Sequence, residues 1–194
     1  MITDDQLGAL AARYGEPLHR TVECAMDETL FLSRFLRAEP RRGEAVLLIE
    51  QPDGRLLLHR KAHYGSNHFR LLTGGIRMGE AVDTAALREA QEETGLMVEI
   101  VRLPAVIHTM LSFAEIRLPF TSYLFHLRAA AAPVWAQDGE AAEFSTCLPN
   151  ELPAVAATLR AIPDPRGYWG RWRAVAHEIA AEAWPLGPKQ PSMR

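Results

Sequence analysis

A glycine-rich turn that runs straight into a carboxylate-bearing helix constrains this chain more than any other feature. Gly74-Gly75-Ile76-Arg77-Met78-Gly79-Glu80 is followed, seven residues on, by Arg88-Glu89-Ala90-Gln91-Glu92-Glu93-Thr94-Gly95-Leu96. Val82, Ala86 and Ala90 recur every four residues, which predicts a helix with one apolar stripe, and Gly95 supplies its stop. Glu89, Glu92 and Glu93 stand at i, i+3 and i+4, so their carboxylates project from adjoining turns towards one patch. Like charges at that spacing repel by about 0.2–0.5 kcal/mol a pair in an isolated helix. Arg88, four residues before Glu92, is expected to relieve or orient only one of them. A divalent cation would turn the remaining repulsion into binding, because Mg²⁺ is held by a few carboxylates with water and phosphate oxygens completing its shell. Taken alone, an E-x-x-E-E run is more often a solvated helix face.

The spacing decides between the two. Five residues separate Gly74 from Glu80, and seven separate Glu80 from Arg88-Glu89; an apolar residue, any residue, Glu92-Glu93, any residue, Gly95 and apolar Leu96 follow. This resembles the Nudix box, G-x5-E-x7-R-E-U-x-E-E-x-G-U with U apolar, at every defined position. With seven fixed residues each at roughly one in fifteen, a chance match is on the order of one in a million. The resemblance implies an α/β fold, an α/β/α sandwich around a mixed β-sheet, and hydrolysis of pyrophosphate links in nucleoside diphosphates joined to another moiety. It also implies Mg²⁺ as cofactor, with Mn²⁺ as the substitute.

Carried over position by position, the resemblance makes Glu89, Glu92 and Glu93 metal ligands, joined by a backbone carbonyl near Thr73 or Gly74. Glu80 becomes the supporting acid at the helix entrance, Arg88 the orienting partner and Glu93 the in-box base. Gly74 and Gly75 let backbone approach the phosphates. Members of this family often bring a further glutamate from a late loop; Glu140 is the first choice here, ahead of Glu143 and Asp138. Arg60, Lys61 and Arg70 flank the approach to the glycine loop as candidates to neutralise phosphate, each against the alternative of an exposed strand charge. His59, His63 and His68 fall on strand and loop rather than on one helix face, so no histidine metal site is expected. Thr73 stands where a proline commonly precedes the loop glycines, and Leu72-Thr73 does not match the Pro-Gln of the dinucleoside polyphosphate and RNA 5′-end branches. The expected partner is therefore a small-molecule nucleotide of open identity, with an RNA 5′ end less favoured.

The rest of the chain sets limits. A length of 194 residues suits one α/β domain with extensions. The net charge of −3 argues against wholesale coating of nucleic acid. Cys24 and Cys147 are far apart without C-x-x-C spacing, so neither a zinc site nor a disulfide framework is indicated. The acidic start and the lack of any apolar run of membrane-spanning length lead to the expectation of a cytoplasmic protein with no membrane contact.

Thr3 and Gln6 predict a capping box opening a helix through Leu7, Leu10 and Tyr14 to Gly15. A second helix is expected from Asp27 through Leu32, Phe35 and Leu36, ended by Glu39-Pro40. Residues 1–41 thus read as a helical N-terminal extension that packs on the core, forms a homodimer contact or lids the substrate. Residues 42–161 read as the Nudix core and 162–194 as a C-terminal helix with a loose tail. Within the core, Glu44 to Ile49 and Arg55 to Lys61 form a hairpin across Gln51-Pro52-Asp53-Gly54. A short strand spans His68 to Leu72, and long ones lie in 97–110 and 116–127, with Pro119 at a bulge or an edge. The acids 140–143 sit in loop ahead of a short strand. Asn150 is expected to cap a helix bearing Leu152, Val155, Ala156 and Leu159, and Trp172, Val175, Ala176, Ile179, Ala180 and Ala183 stripe the last helix. Two other functions share this scaffold. An isopentenyl diphosphate isomerase would disrupt the box and place a cysteine near the glycine loop; a non-catalytic nucleotide-binding regulator would have lost box glutamates. Neither feature is present.

Overall fold

Ala45-Val46-Leu47-Leu48-Ile49 is apolar on both faces of a strand, and such a run belongs in the middle of a sheet that is covered on both sides. The computed structural model, which describes residues 3–35, 43–61, 68–131 and 141–184, places it there. Strand β2 (Gly43–Glu50) runs parallel to β6 (Ile116–Ala129). Its other edge is divided. β4 (Leu72–Gly75) pairs antiparallel with the first half of β2, and β3 (Leu56–Lys61) meets its end at Glu50–Leu56. The turn between β2 and β3 closes through Gln51 and Arg55, with Gly54 at φ +79°, a left-handed conformation that favours glycine. β5 (Val98–Phe113) is antiparallel to β6, β1 (Leu18–Ala25) is parallel to β5, and β7 (Ala141–Cys147) is antiparallel to β3. The order is β1-β5-β6-β2-β3-β7 with β4 beside β2, a mixed sheet.

Helices cover both faces. Ala45, Leu47 and Ile49 point to α1 (Asp4–Tyr14) and α3 (Val82–Thr94), where they pack with Leu10, Val82, Ala86 and Ala90. Val46 and Leu48 point to α4 (Leu152–Arg160) and α5 (Gly167–Ala183), against Leu152, Val175, Ile179 and Ala180. Each large aliphatic side chain fully buried this way contributes about 1.5–3 kcal/mol. Helix α2 (Glu28–Phe35) lies at the end of β5 and β6, where Phe31 meets Leu111 and Phe120. The molecule is the expected α/β/α sandwich.

Polar groups buried beneath β4 fasten it to α5. Arg173 Nη1 donates to both carboxylate oxygens of Glu44 at 2.8 and 2.9 Å, and Ser122 Oγ donates to the same carboxylate. His177 is held neutral by burial, its pKa pushed down to about 4. Its Nε2 accepts the Leu71 N–H at 2.9 Å, which leaves Nδ1 as the donor to the Arg173 carbonyl. The backbone that leads into the glycine loop is thus braced from behind by the last helix.

Several expectations need correction. Residues 1–41 are not helical throughout: β1 lies between the two helices and extends the sheet past β5. The strand before the glycines spans Leu72–Gly75 rather than 68–72, and Arg70 meets His59 only in an isolated bridge. Glu143 is part of β7, not of a loop. Asn150 makes no cap. A 3₁₀ turn over Pro149–Glu151 precedes α4, and Glu151 accepts the Leu148 N–H instead. Pro119 pairs with Met110 of β5, on a stretch of β6 that runs past the start of β2 at Thr121, so among the described residues it has a strand on one side only. The expected helix end at Leu36 and Glu39-Pro40, the loop at 64–67, His63, Asp138 and Glu140, and the tail from 185 on all lie outside the described residues.

Candidate active site

Helix α3 forms because its stripe of Val82, Ala85, Ala86 and Ala90 seals against the sheet, and it stops at Gly95, whose φ of +72° and N–H to the Gln91 carbonyl make a left-handed cap. Its first turn is tied to α1. Asp83 accepts from Arg13 Nη1 at 2.6 Å and from the Tyr14 hydroxyl at 3.2 Å. Farther along it presents Glu89 to β4 and Glu93 to β3.

The entrance to the helix is locked by Glu80 and Arg88. The Arg77 N–H and the Arg88 guanidinium both donate to Glu80: Arg77 N to Oε2 at 2.9 Å, Arg88 Nε to Oε1 at 2.7 Å and Nη2 to Oε2 at 2.9 Å. The bonds from Arg88 in particular hold the Glu80 carboxyl below the usual carboxylate range. The Glu80 bond likewise raises the pKa of the guanidinium. Arg88 Nη2 also donates to the Gly75 carbonyl at 3.0 Å, which joins the helix to the glycine strand. Its Nη1 reaches Glu89 at 2.7 Å and Glu92 at 2.9 Å. Helical spacing alone pairs Arg88 with a single carboxylate; in the fold it serves three.

Glu89 explains the box glycine. A Cβ built on Gly74 would collide with Cγ, Cδ and Oε2 of Glu89. The carboxylate lies directly on the Gly74 backbone, and no other residue type leaves room for it. Glu92 is 45% exposed and also meets Arg77 at 3.4 Å. Glu93 points the other way. It is 5% exposed, and its Oε2 lies 3.8 Å from Nδ1 of His59 on β3.

Of the candidate phosphate-binding cations, Arg70 is turned inward. It is 3% exposed, and Nη1 donates to the Leu71 carbonyl at 2.8 Å and to Thr73 Oγ1 at 3.0 Å, so it braces the loop. Arg60 is engaged by Glu143, 2.8 Å from both Nε and Nη2, across the β3–β7 pair. Lys61 ends β3 half-buried. Cys147 is buried in the α5-side core, where desolvation pushes its thiol up to about 11, and Cys24 lies in β1; neither is at the glycine loop. His59, for which the sequence leads to no metal-ligand role, lies on the same face as Leu57, two residues before, and so points at α3.

Among the described residues no three acidic, imidazole or thiol groups converge on one point. Arg88 Nη1 stands between Glu89 and Glu92. The donor set still fits a hard divalent cation, being all oxygen, beside backbone that lacks a side chain.

This sheet order, with a glycine strand feeding a carboxylate helix, defines a mixed α/β sandwich. The family model for the NUDIX domain matches residues 40–167. The chain belongs to that family and is a Nudix hydrolase. Among solved structures it resembles the MutT protein from Methanosarcina mazei Go1, at 15% identity over 79% of this chain and 99% of that one, with a TM-score of 0.51. It also resembles a NUDIX hydrolase from Nitrosomonas europaea, at 20% identity over 78% and 93% of the two chains, with a TM-score of 0.52. These likenesses are of fold. Among the described residues no helix is long and apolar enough to cross a membrane.

Proposed function

We propose that the protein is a Mg²⁺-dependent pyrophosphohydrolase, with Mn²⁺ as the substitute ion, that cleaves a diphosphate linkage in a nucleotide or a nucleoside diphosphate conjugate. One observation carries this reading: the complete box folds with Glu89 seated on Gly74 while Glu80 and Arg88 lock helix to loop. Glu89, Glu92, Glu93 and the Gly74 carbonyl would hold the cation, which supplies charge neutralisation for the phosphates and acidifies a water. Glu80 and Arg88 keep the helix in register with the loop. Glu93, the most buried of the three ligands, is the base. The family-core boundaries at 42 and 161 and the small-molecule nature of the substrate belong to the same reading. Nucleoside di- and triphosphates, sugar nucleotides, dinucleotides and capped RNA, assayed with Mg²⁺, Mn²⁺ or chelator, test it. Metal-dependent release of a mononucleotide is expected, and no turnover of any phosphoanhydride counts against it.

Metal binding has a stability readout. A ligand that binds only the folded state at a hundred times its Kd adds about 2.7 kcal/mol, or roughly 5–10 °C for a chain of this size. Mg²⁺ or Mn²⁺ is expected to raise the melting temperature accordingly, and changing Glu89, Glu92 and Glu93 together to Gln should remove the response. A shift of unchanged size in the triple variant would place the ions elsewhere.

The two late acids are assigned different roles. Glu140→Gln is expected to lower kcat about 10²-fold, as for loss of a general base. Glu143→Gln should leave kcat within a few-fold, because Glu143 faces Arg60 across β3–β7. Steady-state rates on the substrate identified above check both, and the reverse order would move the late-acid role to Glu143.

A further inference from the structure

The buried imidazole of His59 is unused by the box. The residue is fully buried, and among the described residues neither ring nitrogen has a hydrogen-bond partner. Its backbone is held on both sides: its N–H and carbonyl bond to Arg70, and it is in register with Phe144 of β7. The ring therefore cannot swing far from where β3 aims it. What it faces is Glu93, with Nδ1 3.8 Å from Oε2, a few tenths of an ångström beyond hydrogen-bonding distance. An imidazole ring carries an N–H that can donate to a carboxylate. A leucine would pack this position as Leu56, Leu57 and Leu58 pack theirs. Among the described residues, a buried ring N–H that finds no bond of its own is placed for the carboxylate in front of it.

We propose that His59 is a positioning residue for Glu93: its Nδ1–H donates to the Glu93 carboxylate and fixes which oxygen Glu93 presents to the metal and the attacking water. The proposal rests on the reading of Glu93 as ligand and base. It assigns a role on strand β3, outside the box, to a residue that touches neither metal nor substrate.

The test compares His59→Leu, which keeps volume and removes the donor, with His59→Asn, whose amide N–H stands near the Nδ1 position. Mn²⁺ affinity is read by electron paramagnetic resonance of the free ion, and kcat and KM are measured on whichever member of the substrate panel is turned over fastest. His59→Leu is expected to weaken Mn²⁺ binding and lower kcat by about 10-fold or more, in the range for lost support of a metal ligand, with KM within about twofold. His59→Asn should recover most of both. In a Glu93→Gln background, His59→Leu should cost nothing further. Circular dichroism and melting establish that each variant is folded. If the Leu variant is not, His59→Gln, which carries its amide too far out, replaces it and should show the same loss. Wild-type Mn²⁺ affinity and kcat in His59→Leu would overturn the proposal, as would equal losses in the Leu and Asn variants that persist beside Glu93→Gln. Should Glu93→Gln itself leave Mn²⁺ binding and turnover intact, the reading of Glu93 fails, and this assignment with it. Should Glu93→Gln be crippled while His59→Leu is normal, only the assignment fails.

Discussion

Glu93→Gln is expected to reduce turnover by at least 10³-fold in a protein that still folds, and Glu92→Gln to follow it. The amide keeps the shape of the side chain and removes its charge. Where charge holds a cation and accepts a proton, loss of one such group removes several kcal/mol of transition-state stabilisation, and about 1.4 kcal/mol is already tenfold in rate. The two positions differ in a way that ranks them. Glu93 is nearly sealed beneath β3, whereas Glu92 is half exposed and shared between Arg88 and Arg77. A charge in water is screened and replaceable; a buried one is neither. Glu93→Gln should therefore be the more severe, and its melting temperature should not fall, because a buried carboxylate is costly to keep. Single-turnover rates at saturating Mg²⁺, with melting curves of both variants, check the ranking. Near-normal turnover in Glu93→Gln would take the base out of the box helix.

How much of this was readable in the sequence depends on the kind of residue. The box helix was readable because two signals agree there: the four-residue repeat of Val82, Ala86 and Ala90, and a glycine stop. The central strand was readable because five consecutive apolar residues leave it no solvent face. β1 was not. Its inward positions are Leu18, Arg20, Val22 and Cys24, only half-buried because β1 ends the sheet, and Arg20 reaches across to Glu182 of α5. A charged residue on the inner face breaks the alternation by which strands are recognised. The same effect hid Arg70 and His59. A charged or titratable residue reads as exposed unless its partners are known, and the partners of Arg70, the Leu71 carbonyl and Thr73, become visible only with the fold. Arg88 shows the converse. Helical spacing pairs it with Glu92, but its contacts with Glu80 and the Gly75 carbonyl depend on how the loop folds back.

Gly74→Ala is the substitution of least size with a large expected effect. The added methyl would occupy the space of the Glu89 Cγ and Cδ, close to the root of the side chain, so a small rotation of its tip does not relieve the clash. Glu89 cannot simply swing out, since Arg88 Nη1 holds its carboxylate, and Arg88 is itself tied to Glu80 and the Gly75 carbonyl. The strain is therefore passed to the whole lock between loop and helix. Overpacking of this kind costs about 1–3 kcal/mol, a loss of roughly 2–12 °C in melting temperature at 2–4 °C per kcal/mol. Displacement of a metal ligand by about 1 Å is enough to cost 10²-fold in rate. Both losses are expected in Gly74→Ala. They have one cause if the clash is with Glu89, and a double variant isolates it. Glu89→Ala removes the colliding atoms, so adding Gly74→Ala to that background should cost no further stability, although activity stays low for want of the carboxylate. If instead Gly74→Ala destabilises the Glu89→Ala protein as much as the wild type, the glycine is required by the backbone of β4 and not by the carboxylate that lies on it.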